Sequence, residues 1–313
     1  MKPFMLTILL AAVLAMRGQQ DPLFSQYRTN LFALNPAAAG AAGGHEFRLL
    51  YRSQWQAFPG SPRTLTGLYN GAADEKNSFG AMVFADAAGP ASRTGLQLGY
   101  AFRFGLGQPG AYGQNYLSFG MAAKVTQFAL DGGRIYFQQA GDPLVAAQAG
   151  NTWAGDVAFG LYMHNERFYA GFSAPNLLRS TLDNGQSAPV IGRLYRHYYG
   201  LAGMILHYGQ VSVEPSVLLK QVEAAPFQIE GNVKFYFMED RLIAGVSYRT
   251  DWLISLMAGM QLKRLSFLYT ADLMPPHQRS GSLFGPANEL SLGWTIGQAG
   301  GSGGKINRFY REP

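Results

Sequence analysis

The chain has 313 residues, of which 48% are hydrophobic and 14% are charged, with 39 Gly and 17 Tyr. The charged fraction is well below the roughly 25% of ordinary soluble domains. After residue 16 no apolar run approaches the about 20 residues that a membrane-spanning helix needs. The net charge of +6 is mild and dispersed and indicates no nucleic-acid partner. The absence of cysteine excludes a diacylglyceryl anchor, disulfides and thiolate metal sites.

Residues 1–18 are typical of a signal peptide. Lys2 supplies a positive charge, the stretch from Phe4 to Met16 is apolar, and polar sequence follows. We expect cleavage near Gly18, although the small-residue pattern of a cleavage site is poor there. The alternative, a permanent anchor helix, is disfavoured because the apolar stretch is too short to span a bilayer. These residues therefore predict export through a cleaved signal peptide, and the strand pattern described below predicts the outer membrane of a Gram-negative bacterium as the destination.

Residues 19–44 form an apolar segment between the signal peptide and the first strand. Aromatic and aliphatic residues alternate with Asn-Pro and a run of Ala and Gly, a composition too apolar for a free periplasmic segment. Three alternatives remain open: a plug that folds back into a barrel lumen, a docking element for a periplasmic partner, or disorder. For docking, the candidate partner-binding residues are Phe24, Tyr27, Phe32, Leu34, Asn35 and Pro36.

Residues 45–296 show apolar residues at every second position. Leu117, Phe119 and Met121, for example, are separated by Ser118 and Gly120, whereas a helix would scatter such a set around its circumference. This pattern predicts an antiparallel outer-membrane β-barrel of about fourteen strands, whose apolar face contacts outer-membrane lipid. The predicted strands lie near residues 46–55, 64–72, 78–85, 96–104, 117–126, 153–164, 167–174, 195–206, 211–220, 227–237, 241–249, 253–262, 265–271 and 290–296.

The connections between these strands alternate in length. Most even-numbered ones are tight, whereas residues 131–151, 175–194 and 272–287 form the three longest connections, all on the other side. Outer-membrane barrels have short periplasmic turns and longer external loops, so we expect both termini in the periplasm. Residues 105–115 are expected to form an unusually long turn on the short side. A soluble β-sandwich is disfavoured because nearly every strand has an apolar face and a polar one.

The polar face of the predicted strands carries charges of both signs. These side chains are either hydrated and loosely paired in the lumen, or they line a solute pore and select its solutes. The residues concerned are Arg48, Arg52, Arg103, Lys124, Asp156, Glu214, Lys220, Glu230, Lys234 and Arg249.

Residues 297–313 form a Gly-rich, basic C-terminal tail. The last predicted strand ends near Ile296, so Trp294 is internal rather than terminal. The tail is either a disordered end or a docking element. In the second case Phe309 and Tyr310 are its candidate partner-binding residues.

Several motifs together resemble the PorP/SprF family of the type IX secretion and gliding-motility machinery. The resemblance implies a barrel that helps an adhesin with a type IX C-terminal signal to be secreted and attached to the cell surface, or that associates with periplasmic secretion subunits. The alternative function is a diffusion porin or solute channel. The motifs are Asp21-Pro22-Leu23-Phe24-Ser25-Gln26-Tyr27, Leu34-Asn35-Pro36-Ala37, Ala39-Gly40, Tyr51-Arg52-Ser53-Gln54-Trp55, Arg196-His197-Tyr198-Tyr199, Glu214-Pro215-Ser216-Val217-Leu218-Leu219-Lys220 and Gly245-Val246-Ser247-Tyr248-Arg249.

No motif indicates catalysis, a metal or another cofactor. Residues 105–110 fit the dinucleotide pattern G-x-G-x-x-G, but a strand rather than a helix follows them. The five histidines are far apart in sequence and have no metal-ligand spacing. Asp251 and Asp272 are expected in outer loops without a calcium-binding spacing. The sequence therefore predicts a non-enzymatic protein.

Overall fold

The computed structural model describes residues 24–57, 59–134, 150–178, 180–182, 192–223, 225–273 and 285–297. Most of them belong to one closed antiparallel barrel, and residues 24–44 precede its first strand. The predicted signal peptide and the predicted C-terminal tail, with Phe309 and Tyr310, lie outside the described residues. No helix among the described residues is both long and apolar enough to cross a membrane.

The predicted antiparallel barrel of 14 strands is confirmed. The barrel closes where β1 pairs with β17, with His45 opposite Ile296 and Ser53 opposite Asn288. One barrel strand is interrupted at Ile205 and consists of β10 and β11, which both pair with β12. The small strands β8 and β9 pair only with each other. The strands are β1 (His45–Ser53), β2 (Arg63–Ala72), β3 (Asn77–Ala88), β4 (Ala91–Gly110), β5 (Gly113–Leu130), β6 (Gly150–His164), β7 (Phe168–Ala174), β8 (Thr181–Leu182), β9 (Gly192–Arg193), β10 (His197–Met204), β11 (Leu206–Tyr208), β12 (Val211–Val222), β13 (Gln228–Phe237), β14 (Leu242–Arg249), β15 (Leu253–Leu262), β16 (Leu265–Leu273) and β17 (Ala287–Ile296).

Side chains alternate between the outside and the lumen along each strand. In β1, Phe47 and Leu49 are exposed on the outer surface, whereas Arg48, Leu50 and Arg52 are buried inside. This alternation follows from the pleat, which directs successive side chains to opposite faces of a sheet. Closure pairs the backbone groups of every barrel strand, as a sheet surrounded by lipid requires.

The two rims of the barrel differ in the length of their connections. The rim that contains His45 and Ile296 has only turns of two to four residues, and we call it the short-turn rim. The opposite rim, which we call the long-loop rim, contains the connections 131–149, 175–196 and 274–286. Which rim faces the periplasm stays a prediction.

The expectation of a long turn at residues 105–115 was wrong. β4 continues to Gly110 and β5 begins at Gly113, so the turn consists of residues 111–112. The register shifts between Leu106 and Gly110, and the side-chain amide of Gln114 donates to the carbonyl oxygen of Leu106 at 3.2 Å. An irregular strand pair therefore occupies a region whose Gly and Pro content is typical of turns.

Candidate functional site in the barrel lumen

The lumen is occupied by residues 24–44, which we call the lumen segment. It contains a 3₁₀ turn at Tyr27–Thr29, the short helix α1 at Leu31–Leu34 and a second 3₁₀ turn at Pro36–Ala38. Asn35 precedes the second turn, and its side-chain oxygen accepts the N–H of Ala37 at 2.9 Å. Asn before a helical turn and Pro at its first position both favour this conformation. The local sequence thus specifies where the segment bends.

A buried ionic cluster holds the first residues of the lumen segment. The Glu289 carboxylate accepts the backbone N–H of Ser25 at 2.9 Å and that of Gln26 at 3.0 Å. The Ser25 hydroxyl donates to Asp272 at 2.8 Å. Arg52 pairs with Asp272 at 2.6 Å and with Glu289 at 2.8 Å. We call these five residues the leading-end cluster.

A second buried cluster surrounds Arg28, in the next part of the segment. Its guanidinium pairs with the Glu214 carboxylate of β12 at 2.7 Å and lies 4.1 Å from the centre of the Tyr169 ring. Glu214 also accepts the hydroxyl groups of Tyr169 at 2.8 Å and Tyr236 at 2.5 Å. Lys234 is the residue opposite Glu214 on β13. Charge-assisted hydrogen bonds of this kind offset the cost of burying both ions.

Glycines of the barrel wall make room for the middle of the lumen segment. Phe32 is 1% exposed and lies against Gly80 of β3 and Gly99 of β4, where a Cβ atom would overlap its ring. A Cβ atom at Gly120 of β5 would meet the backbone of Ala37. Because close-packed interiors tolerate little added volume, these positions accept the segment only as glycine.

Asn35 joins the lumen segment to two strands. Its side-chain amide donates to the carbonyl oxygen of Leu161 at 2.8 Å and to that of Phe172 at 3.3 Å. Gly160 is adjacent, and a Cβ atom there would overlap the Asn35 side-chain oxygen. The same amide group therefore caps the second turn and anchors it to β6 and β7.

The last residues of the lumen segment reach the short-turn rim. The Gly40 N–H donates to the side-chain oxygen of Asn70 at 3.2 Å. Gly40 has a φ of +64°, which favours glycine, and Gly44 lies beside Gly297, the residue that follows β17. From here the chain continues directly into β1.

The structure brings the candidate partner-binding residues of the segment together inside the barrel. Tyr27, Phe32, Asn35 and Pro36 are buried, and the other two candidates, Phe24 and Leu34, are partly exposed. Of the three alternatives for this segment, the structure places residues 24–44 in the lumen. Contact of these side chains with a partner stays a prediction, as it does for the tail.

Sequence reasoning missed the polar residues that attach the segment. Ser25, Gln26 and Arg28 were not singled out for this role, and Asp272 was wrongly expected in an outer loop. Asp272 is instead the penultimate residue of β16 and faces the lumen. Its position one residue beyond the predicted strand, on the polar face, was the available signal.

The ten charges predicted to face the lumen are buried or half-buried. Besides the contacts of Arg52 and Glu214, Arg249 lies 3.8 Å from Glu230, and Lys124 donates to the Asn176 side chain at 2.6 Å. Several of these charges are paired across strands or with the lumen segment, and a role in selecting solutes stays a prediction. The described residues contain no group of His, Asp or Glu side chains suited to a metal ion.

Comparisons with known proteins identify one family. The family described as type IX secretion system membrane protein PorP/SprF matches residues 16–290. No curated protein matches the chain.

Solved structures give weaker similarities. The ferric enterobactin receptor PfeA of Pseudomonas aeruginosa is 10% identical with a TM-score of 0.37, over 74% of this chain and 44% of that one. The chain thus spans less than half the length of that receptor. OmpF of Salmonella typhi, solved with daunomycin, is 10% identical with a TM-score of 0.33, over 82% and 99%. A bacterial polysaccharide outer membrane secretin is 12% identical with a TM-score of 0.36, over 82% and 99%.

The fit between Gly120 and the lumen segment can be tested with Gly120→Val. We expect the segment to be displaced and the free energy of unfolding to fall by about 1–3 kcal/mol, the usual cost of overpacking. The measurements are trypsin cleavage after Arg28 in the folded barrel and the midpoint of heat-dependent electrophoretic migration. The control is Gly155→Val on β6, where a Cβ atom has open space. Equal protection of Arg28 in both variants would contradict the packing argument.

The ion pair between Arg28 and Glu214 can be tested with single and double variants. Glu214→Gln leaves Arg28 and Lys234 without their acid and should cost about 3–5 kcal/mol, as for other broken buried pairs. Arg28→Met should lower the free energy of unfolding by less, because the positive charge of Lys234 still lies opposite the Glu214 carboxylate. Combining both changes should cost less than the sum of the two.

Denaturant unfolding in detergent measures these differences in stability. The control is Glu239→Gln, which removes an exposed pair with Arg241 at 3.8 Å and should change stability by less than about 1 kcal/mol. Strict additivity of the Arg28 and Glu214 variants would show that the pair is not coupled.

Proposed function

Because the chain belongs to the PorP/SprF family of type IX secretion system membrane proteins, we propose that it is a non-enzymatic barrel that serves secretion through its two rims. The long-loop rim supports the secretion and surface attachment of an adhesin with a type IX C-terminal signal. The short-turn rim contacts periplasmic secretion subunits. The observation that carries this proposal is the lumen segment, which lies inside the barrel and is bound to its wall by buried charged and hydrogen-bonding groups.

The filled lumen supports a scaffold rather than a diffusion porin. A solute pore needs a continuous aqueous path lined by hydrogen-bonding or charged groups. Here Arg52 and Glu214 are 3% exposed at their side chains and are paired with other charges. Groups that bind one another and the lumen segment are not available to solutes. The proposed activity therefore belongs to surfaces outside the lumen.

The proposed orientation follows the general asymmetry of bacterial barrels. Short turns lie on the periplasmic side and longer loops outside, which assigns the short-turn rim to the periplasm. Export by a cleaved signal peptide at residues 1–18 is part of the same proposal. No cofactor is assigned, and the family is one of secretion-system membrane barrels rather than a known enzyme family.

Conductance in a planar bilayer tests the scaffold against the porin. We expect the purified wild-type barrel to show no large stable pore, because the lumen segment occupies its interior. Gly120→Val should increase the frequency of open events by displacing the segment, whereas Gly155→Val should not. A large stable conductance in the wild-type protein would contradict the proposal and favour the porin.

Photo-crosslinking in intact cells tests the proposed partners. A photoreactive residue at Gln56, exposed in the loop between β1 and β2 at the long-loop rim, should capture an exported adhesin. The same residue at Glu75, exposed in the turn between β2 and β3 at the short-turn rim, should capture periplasmic secretion subunits. Mass spectrometry identifies the adducts. Recovery of lipopolysaccharide and general porins alone would contradict the assignment of both rims.

A further inference from the structure

A recess of about 570 Å³ lies in the outer surface of the barrel, at the seam where β1 pairs with β17. We call it the seam recess. One row of its lining residues crosses five neighbouring strands, each residue opposite the next. The row consists of Leu265, Trp294, Phe47, Tyr69 and Ala81. Because Phe47 is the third residue of β1, this row lies close to the short-turn rim.

Small residues among large ones produce the seam recess. A second row of its lining contains Leu49, Gly67 and Val83, which are opposite one another on β1, β2 and β3. Gly67 and Ala81 are only partly exposed, whereas the larger side chains of Phe47, Leu49 and Val83 are exposed around them. The outer surface is therefore indented where two side chains are small or missing. Outward positions of a membrane barrel face lipid, so the indentation opens toward lipid.

The outward side chains that line the seam recess are apolar or aromatic. Arg48 is the one charged residue in its lining, and it is buried behind the sheet, where it pairs with Glu46 at 2.5 Å. A hydrocarbon chain gains van der Waals contacts in such a site and has no polar group that burial would leave unpaired. The lining thus fits an acyl chain.

Two exposed cations lie beside the seam recess at the short-turn rim. Lys263 and Arg264 form the turn between β15 and β16, and Arg264 directly precedes Leu265 of the first row. The Thr295 N–H donates to the carbonyl oxygen of Arg264 at 2.9 Å, which fixes the turn beside β17. Basic residues at the end of a membrane-facing surface attract anionic lipid headgroups. Apolar recess and adjacent positive charge therefore match the two parts of an anionic lipid.

We infer that the seam recess binds an acyl chain of one anionic glycerophospholipid, whose phosphate contacts Lys263 and Arg264. The class of lipid rests on the orientation given under the proposed function, which places the short-turn rim in the periplasmic leaflet. The two rows of lining residues are roughly 7 Å apart along the strands. A membrane-spanning helix of another protein is about 10 Å wide and does not fit between them.

Native mass spectrometry of the purified barrel tests whether one lipid is held. We expect the wild-type protein to retain a single glycerophospholipid and Ala81→Phe, which fills the recess, to lose it. The control is Ala123→Phe, which adds the same ring to an exposed outward position of β5 away from the recess. Heat-dependent electrophoretic migration verifies that both variants are folded.

Three outcomes of this experiment would overturn the inference. Wild-type protein without retained lipid would show that the recess holds none. Equal retention by Ala81→Phe and Ala123→Phe would show that the lipid is bound elsewhere. Retention of lipid A in place of a glycerophospholipid would overturn the class of lipid together with the orientation on which it rests.

Fluorescence quenching measures the preference for an anionic headgroup in a bilayer. The chain has four tryptophans, and changing Trp55, Trp153 and Trp252 to Phe leaves Trp294, which lines the recess. In phosphatidylcholine vesicles, a small fraction of phosphatidylglycerol with brominated acyl chains should quench Trp294 more than the same fraction of brominated phosphatidylcholine. Lipid that merely surrounds the barrel would show no such preference.

Removing one cation from the turn should weaken this preference. In the single-tryptophan protein, Arg264→Gln should lower the relative association of phosphatidylglycerol roughly fivefold, the usual contribution of one basic residue at a membrane surface. The control is Arg63→Gln, which removes an exposed charge at the long-loop end of β2 and should leave the preference unchanged. Equal quenching by the two brominated lipids before substitution, or equal effects of the two Gln variants, would refute the headgroup contact.

Discussion

The interior of the barrel depends on the carboxylate of Glu289, which joins three parts of the chain. Its oxygens accept the N–H groups of Ser25 and Gln26 and pair with Arg52 of β1, the strand that closes the barrel against β17. A carboxylate this deeply buried is stable only when its charge is paired and its oxygens accept hydrogen bonds. Two of the groups that donate to Glu289 belong to the lumen segment, so without the segment this buried carboxylate would lose two of its hydrogen bonds.

Charge and shape fix different parts of the lumen segment. Near its start, Ser25, Gln26 and Arg28 are held by buried ionic groups: Glu289 accepts the N–H groups of the first two, and Glu214 pairs with Arg28. Its middle is received by glycines of the wall, among them Gly80, Gly99 and Gly120. The ion pairs fix the position and direction of the segment in the lumen. The glycines lack side chains and so leave space for its middle part in a closely packed interior. The segment is therefore part of the core of the protein rather than a separate domain placed inside it.

The barrel could be predicted because strand side chains alternate with a period of two and because loop lengths alternate between the rims. The turn at residues 105–115 was predicted too long because Gly and Pro indicate a turn locally, while the pairing that extends the two strands depends on the facing strand.

The bend of the lumen segment at Asn35-Pro36 could be predicted from these two residues alone. The carbonyl oxygens of Leu161 and Phe172, which accept hydrogen bonds from the Asn35 side chain, lie more than a hundred residues away in sequence. The alternation of apolar and polar residues identifies positions that face the lumen, but it does not show which of them contact the lumen segment.

The buried contacts also limit how the lumen segment can behave. Sliding it along the lumen would separate Arg28 from Glu214 and leave an uncompensated charge, at a cost of about 3–5 kcal/mol. The same movement would drive Phe32 away from Gly80 and Gly99 into positions that carry side chains. Small displacements are therefore unfavourable, and the segment is held in one position unless several contacts are broken together. A lumen segment held in this way gives the barrel a fixed interior, as the proposed scaffold role requires.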